Sequence, residues 1–285
     1  MKLAVLADIH GNLQALDAVL KDADEQGAER IIVNGDMVNR GPNGVAVMER
    51  LQEEGVELLL GNHDDLMRKW TERDADLPQD WFESPFWRAT AWAAEQLDEA
   101  GWIDEIRKLP MTRRVDIPGL PSVLISHGSP RHYREGYSKY LPDESLSEIL
   151  QMHPADVLLG SHTHQPLDRH WGKSRILNTG AVGAPFNGDA RAQYLILRGE
   201  DGSWTPDFRQ VGYDRGAALR AFETSGLLTE GALSAELFYL ELKHARSFLT
   251  PFWMWTEERG LEQTQATWTA YREVHPERFT GPEFV

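Results

Sequence analysis

Three features of the sequence predict an α/β fold. Short apolar runs alternate with stretches of helical periodicity through the first sixty residues. Small polar residues follow each run directly, and a chain of 285 residues can bury a full globular core without staples. Residues 3–7 are continuously apolar, as in a strand buried on both faces. Residues 8–11 make a loop, and Asn12 is placed to cap a helix carrying Leu13, Leu16, Val19 and Leu20 at helical spacing. Residues 31–33 form a second buried strand, closed by Asn34, Gly35 and Asp36. Pro42 suits the first turn of a helix through Val45, Met48 and Leu51. Residues 56–60 form a third strand, ending at Gly61, Asn62, His63 and Asp64. Strands alternating with amphipathic helices make parallel βαβ units, and open α/β sheets place ligands beyond the strands' C-terminal ends.

Residues 65–110 break this rhythm and read as a helical insertion holding Trp70, Trp81, Trp87, Trp92 and Trp102, half of the chain's ten tryptophans. It packs as a satellite hydrophobic cluster or forms an aromatic wall over the cleft. Beyond it, residues 122–126, 156–159, 175–177, 194–197 and 204–211 read as strands, and Asp143 is placed to cap a helix reaching Met152. Residues 213–285 form a helical C-terminal extension, again rich in tryptophan (Trp253, Trp255, Trp268), that packs on or caps the core. Its last stretch, residues 280–283, is expected to be extended. The division is therefore a main domain over 1–212 and an extension over 213–285.

Composition narrows the function. With no cysteine, disulfides, thiolate metal sites and a cysteine nucleophile are excluded, so any metal is held by His, Asp, Asn or Glu. A net charge of −16 argues against binding duplex nucleic acid or an anionic membrane, while a local cationic centre still admits a small phosphorylated substrate. The N-terminal apolar run is too short for a signal peptide and no run is long enough to span a membrane, so a cytoplasmic protein is expected.

Oxygen and nitrogen ligands recur at the strand ends: Asp8 with His10, Asp36, Asn62 with His63, His127, and His162 with His164. If these segments are extended, residues two apart point the same way, and each pair converges on one point. Imidazoles and carboxylates without thiols suit Mn²⁺, Fe or Zn²⁺ better than Mg²⁺ alone. Even seven of these eight are too many for one ion and fit two that share a carboxylate. The motifs Asp8-Ile9-His10, Gly35-Asp36-Met37-Val38-Asn39-Arg40-Gly41, Gly61-Asn62-His63-Asp64, His127 and Gly160-Ser161-His162-Thr163-His164 stand in the order seen in calcineurin-like metallophosphoesterases. The chain resembles that family over residues 1 to about 210, and its strand-end motifs look closest to the bacterial phosphoesterase and diadenosine-tetraphosphatase-like branch.

The resemblance implies a sandwich of two mixed β-sheets flanked by helices, with a dimetal site at the strand ends. It implies that Asp8, His10, Asp36 and His164 hold one divalent ion, most readily Mn²⁺, with Fe or Zn²⁺ as alternatives. Asp36 bridges to a second ion completed by Asn62, His127 and His162, and a hydroxide between the ions is the nucleophile. His63 then faces the leaving group as general acid or electrostatic stabiliser, Asp64 orients its ring, and Arg40 clamps a phosphoryl oxygen. Phosphoprotein phosphatases of this superfamily carry an arginine where this chain has Leu60. The expected activity is therefore hydrolysis of a small phosphodiester or nucleotide-type ester. The alternatives are a Ser/Thr phosphoprotein phosphatase and, in another class, a non-catalytic scaffold of the same fold. Arg131, His132 and Tyr133 follow the His127 strand end and read as a solvated loop, with contact to substrate as the alternative, and Asn178 and Asn187 read as turn residues.

Overall fold

A computed structural model describes residues 1–280, so the tail expected to be extended lies, apart from Thr280, outside the described residues. The chain begins β1 (Lys2–Leu6), α1 (Leu13–Glu25), β2 (Arg30–Asn34), α2 (Gly44–Glu54), β3 (Glu57–Leu59) and α3 (Asn62–Thr71). β1, β2 and β3 pair in parallel, and β9 (Ala192–Glu200) and β10 (Ser203–Val211) complete the sheet antiparallel in the order β10-β9-β1-β2-β3. A second sheet has the order β4-β5-β6-β8-β7, from β4 (Thr112–Val115), β5 (Val123–Ser126), β6 (Val157–Gly160), β7 (Pro166–Trp171) and β8 (Ser174–Thr179). In it β5, β6 and β8 run parallel, with antiparallel β4 and β7 at the edges.

The period of two along the strands builds the layers. Leu3, Val5, Ile32, Leu195 and Leu197 of the first sheet meet Val123, Ile125, Val157, Leu159 and Leu177 of the second in one buried cluster. The intervening residues Ala4, Leu6, Val33 and Ile196 face a helical layer instead, and Leu124, Leu158 and Ile176 face α6 (Asp143–Met152). The expected sandwich of two mixed sheets flanked by helices is observed. Strands buried on both faces have no solvent side to mark with polar residues, which is why they read as unbroken apolar runs.

The insertion carries two short 3₁₀ helices (Gln79–Phe82 and Pro85–Trp87), α4 (Arg88–Glu99) and α5 (Trp102–Ile106). After β10 come α7 (Arg215–Thr224), α8 (Leu227–Glu230), α9 (Ala232–His244), α10 (Leu249–Glu257) and α11 (Gln265–Val274). Phe222, Phe238, Phe252 and Trp268 from these helices share a buried cluster with Leu16, Val19, Met48 and Leu97. The C-terminal helices therefore complete the helical layer on the first sheet. No described helix is long and apolar enough to cross a membrane.

Three local expectations differ. Pro42 precedes α2 instead of sitting in its first turn, because the Asn43 N–H is tied to the Gly11 carbonyl and the helix starts at Gly44. Asp143 opens α6 without capping it, and its carboxylate pairs with Arg169 instead. β4 and β7 carry no strand signal in the sequence, because Thr-Arg-Arg-Val and the half-exposed Pro166–Trp171 run hide their apolar faces among charges.

Candidate metal centre

The seven ligand residues stand where β1, β2, β5 and β6 end and α3 begins. Sequence reasoning brings the paired ligands together by extended alternation; the structure does it differently. Asp8 (φ 53°), His10 (φ 48°), Asp36 (φ 54°), His162 (φ 65°) and His164 (φ 57°) are all left-handed. Each such residue costs about 1–2 kcal/mol. Bonds between loops offset that cost: Asp8 N–H to Gly35 O (3.1 Å), His10 N–H to Asp36 O (3.0 Å), and Ser161 N–H to His127 O (2.8 Å). Left-handed turns curl the backbone so that both members of a pair face inward. Gly61 permits a close approach of the Asp36 loop to the start of α3, since a Cβ there would lie 2.2 Å from Asp36 N and Oδ1.

The side chains form two groups. Ligand atoms of Asp8, His10, Asp36 and His164 lie within 4.8 Å of one another, and so do those of Asp36, His127 and His162. His10, His127 and His164 each direct Nδ1 at a backbone carbonyl, those of Val38 (3.4 Å), Asn34 (2.8 Å) and Ala184 (2.5 Å). A carbonyl only accepts, so Nδ1 carries the proton and Nε2 is the atom left for a metal. Burial, reinforced by neighbouring His63 or Arg40, pushes His10 and His164 well below the ordinary histidine value, so both rings are neutral. Yet their Nε2 atoms face each other at 3.2 Å. Two lone pairs at that separation repel unless a cation lies against both.

Asp36 joins the groups through one oxygen. Its Oδ1 accepts the His63 N–H (2.7 Å), while the buried Oδ2 has no hydrogen-bond donor and lies 3.2 Å from His127 Nε2 and 3.7 Å from His10 Nε2. Asp8 repeats the pattern: Oδ2 accepts the His162 N–H, and Oδ1 is buried without a donor, 3.4 Å from His164 Nε2. Burial opposes ionisation of Asp36, but His127 and His63 hold its carboxyl well below the usual carboxylate range. Burial also opposes charge on His127, yet Asp36 and Asp8 lift its ring to about 10. The site asks for positive charge there, which a bound cation supplies as well as a proton. The Asn62 amide oxygen, 3.1 Å from His127 Nε2, adds a neutral ligand atom. Buried oxygens without donors, opposed imidazole nitrogens and no thiol fit a pair of divalent cations sharing Asp36.

His63 lies beside this centre with its ring edge-on to His10, centroids 4.9 Å apart. Asp64 does not orient that ring. Its carboxylate turns the other way and accepts the N–H groups of Gly61, Asp36, Met37 and Val38, folding the Asp36 loop onto the start of α3. Asn39 holds the ring instead. Its Oδ1 accepts the Arg40 N–H (2.7 Å), which leaves Nδ2 to donate to His63 Nδ1 (2.9 Å). The His63 proton therefore sits on Nε2. The opposite amide orientation would set two donors 2.7 Å apart, whereas this one leaves only the long 3.5 Å approach of Arg40 Nε to Nε2. Burial pushes His63 down to about 3, so the ring is a neutral N–H donor at neutral pH.

Arg40 enters the same cleft, which is also lined by Asp36, His162, Phe186 and Thr250. Its guanidinium lies over the Phe186 and Phe238 rings (5.6 and 5.2 Å), and Nη1 is 2.5 Å from Glu241 Oε2. Glu241, on α9, is 2% exposed and also accepts the N–H groups of Phe248 and Leu249 at the start of α10. Sequence reasoning missed Glu241, since no local signal links it to a motif 201 residues away. Asn178 is more than a turn residue: its amide donates to Ser161 O, Thr163 Oγ1 and Tyr137 O, bracing the His162–His164 loop. Arg131 is absorbed by Glu135 and Glu148, and Tyr133 by Asp65.

Similarity to known proteins agrees with this geometry. The calcineurin-like phosphoesterase family matches residues 1–166. MJ0912, an uncharacterized protein of Methanocaldococcus jannaschii, is 27% identical over 215 residues, covering 70% of this chain and 83% of the relative. The crystal structure of a metallophosphoesterase from Sphaerobacter thermophilus superposes with a TM-score of 0.65 at 25% identity, over 86% of this chain and all of that one. Hypothetical protein PH1004 of Pyrococcus horikoshii OT3 shares the fold, with a TM-score of 0.68 at 21% identity over 87% of this chain and 99% of its own. With the matched segment holding every motif from Asp8 to His164 and the structure bringing them to one buried cluster, the chain belongs to the calcineurin-like phosphoesterases, metal-dependent enzymes that cleave phosphate esters.

Proposed function

We propose that the chain hydrolyses a small phosphodiester or nucleotide-type ester with two divalent cations, Mn²⁺ foremost, held by Asp8, His10, Asp36 and His164 on one side and by Asp36, Asn62, His127 and His162 on the other. The observation carrying this reading is the single unpartnered oxygen of Asp36 set between two groups of nitrogen and oxygen ligands. When bound, two such cations acidify water and offset the charge that gathers on phosphoryl oxygens. Arg40 meets a phosphoryl oxygen with the part of its guanidinium that Glu241 does not occupy. His63, its tautomer set by Asn39, offers Nε2–H to the oxygen that leaves. Asp64 keeps the Asp36 loop and α3 in register, so that Asp36 Oδ1 stays on the His63 N–H and Oδ2 stays turned toward the ligands.

Leu60 supports a small ester over a phosphoprotein. It stands where an arginine would add a second phosphate clamp, and its backbone is tied to Pro110. The insertion and the C-terminal helices also line a cavity of about 280 Å³ beside the centre, a size that suits a small substrate. A scaffold reading is disfavoured because every ligand type is present, including His63. The test is to strip the protein with chelator, restore Mn²⁺, Fe, Zn²⁺ or Mg²⁺, and assay phosphodiesters, phosphomonoesters, dinucleoside polyphosphates and phosphopeptides. Activity that vanishes on stripping, returns best with Mn²⁺ and favours diesters or nucleotides is expected. Full activity without metal would overturn the dimetal centre, and higher kcat/KM on phosphopeptides would overturn the substrate class.

A further inference from the structure

Four of the insertion's five tryptophans divide into two sets, and the fifth, Trp102, is half-buried against the helical layer. Trp70 and Trp92 are buried in the helical layer, as the satellite-cluster reading expects. Trp81 and Trp87 remain half-exposed and stack on each other, centroids 3.9 Å apart and planes 20° apart. Trp253 of α10 stands nearly perpendicular to both, at 79° and 82°. These three indoles come from three separate elements and wall an alcove of about 280 Å³. Its other described walls include Leu66, Phe86 and Leu249, and its lining includes Asn62, His63, His162 and Arg40 of the centre itself. The alcove therefore continues the phosphate site, on the side of His63.

We propose that this alcove is a subsite for a flat, uncharged aromatic ring carried on the leaving alcohol of the phosphate ester. The proposal rests on the phosphoesterase reading above and narrows its substrate class. A cavity of roughly 150 Å³ lined by apolar side chains is enough to hold benzene, so about 280 Å³ admits a bicyclic ring. Parallel and perpendicular indoles around one space suit the offset-stacked and edge-on contacts that aromatic rings prefer. No acidic side chain is among the described lining residues, while Arg40 and Arg134 are, so the mouth accepts the anionic phosphate to which the ring is attached. The α9–α10 corner also ties the alcove to the clamp, because Glu241 pairs with Arg40 and anchors the helix carrying Leu249 and Trp253.

The experiment measures binding of methylphosphonate, benzylphosphonate and naphthylmethylphosphonate to the full-length, Mn²⁺-loaded protein by calorimetry. In parallel, diesters of methyl phosphate with the matching alcohols (methyl, benzyl, naphthylmethyl) are assayed for the alcohol released. Affinity should rise about tenfold or more from the methyl to the naphthylmethyl ligand. Trp253→Ala and Trp87→Phe should compress that ratio to below about threefold, and Trp102→Phe, outside the alcove, should preserve it. A ratio does not depend on the folded fraction, so a destabilised variant still reports. Equal affinity along the series, or discrimination untouched by Trp253→Ala, overturns the subsite. Release of methanol in place of the aromatic alcohol overturns its placement on the leaving side. Discrimination in binding with no ester cleaved upholds the ring subsite and instead overturns the catalytic reading.

Discussion

Replacing Glu241 separates the contribution of the C-terminal helices to stability from their contribution to the active site. Its carboxylate is 2% exposed and receives three donors: Arg40 Nη1 at 2.5 Å, Phe248 N–H at 2.8 Å and Leu249 N–H at 2.9 Å. Glu241→Ala removes all three acceptor contacts and leaves Arg40, only 10% exposed, as a buried cation without its partner. Breaking such a pair costs about 3–5 kcal/mol, and each orphaned N–H adds about 1–3 kcal/mol before local relaxation. A loss of about 4 kcal/mol or more is expected, a large share of a typical domain's stability. Glu241→Gln is the more informative change, because its remaining oxygen still serves the two backbone N–H groups while its NH₂ turns a donor toward Arg40. That variant should lose only the charged hydrogen bond, about 1.5–3 kcal/mol. With Arg40 no longer held, KM for a phosphate ester should rise about tenfold, equivalent to 1.4 kcal/mol, with kcat changing less. The assays are urea denaturation and steady-state kinetics at equal metal content, for Glu241→Gln, Arg40→Met and the double variant. A purely packing role for Glu241 would give free energies that add within about 0.5 kcal/mol and a KM unmoved in Glu241→Gln; either result refutes the positioning argument.

Three further outcomes follow from the site. Asn39→Ala, which frees the His63 tautomer, should lower kcat about tenfold without loss of metal, whereas His63→Gln should lower it about 10²–10⁴-fold; metal analysis beside kinetics checks both, and metal loss in either would remove the assignment. Gly61→Ala drives a methyl against Asp36 N and Oδ1, 2.2 Å away, and should destabilise by about 1–3 kcal/mol while weakening metal retention, read by denaturation and dialysis against chelator. Asp22 is desolvated, but Arg209 and Tyr194 hold its carboxyl below the ordinary value of 3.8. A depressed folded value means the stabilisation is present above that unfolded value and is lost as pH falls through the lower folded one. The stability gap between wild type and Asp22→Asn should therefore be constant near neutrality and close only below about pH 4; a gap that persists unchanged in acid would contradict the ionic origin.

Much of the fold is written locally. Residues 3–7 read as a buried strand because both of its faces are covered, by the second sheet and by the helices. The Asn12 cap is realised through Ala15 N–H, three residues away, and the ligand motifs stand at strand ends as such sheets require. The edge strands β4 and β7 were not legible, since their pairing is supplied by β5 and β8 and their own residues are partly charged. At the centre, residue types announced the metal ligands, but their convergence depends on left-handed backbone at Asp8, His10, Asp36, His162 and His164, held by bonds between loops. Asp64 and Asn39 show the same limit, because both sit in recognisable motifs and only packing decides which one touches His63. Glu241 and Trp253 lie furthest beyond reach of the motifs. Periodicity and motif spacing act over a few residues, whereas a buried carboxylate finds Arg40 only after α9 has been pressed onto the helical layer. Ligand identity is thus a local property of the chain, and clamp and alcove are properties of elements distant in sequence that share one hydrophobic layer.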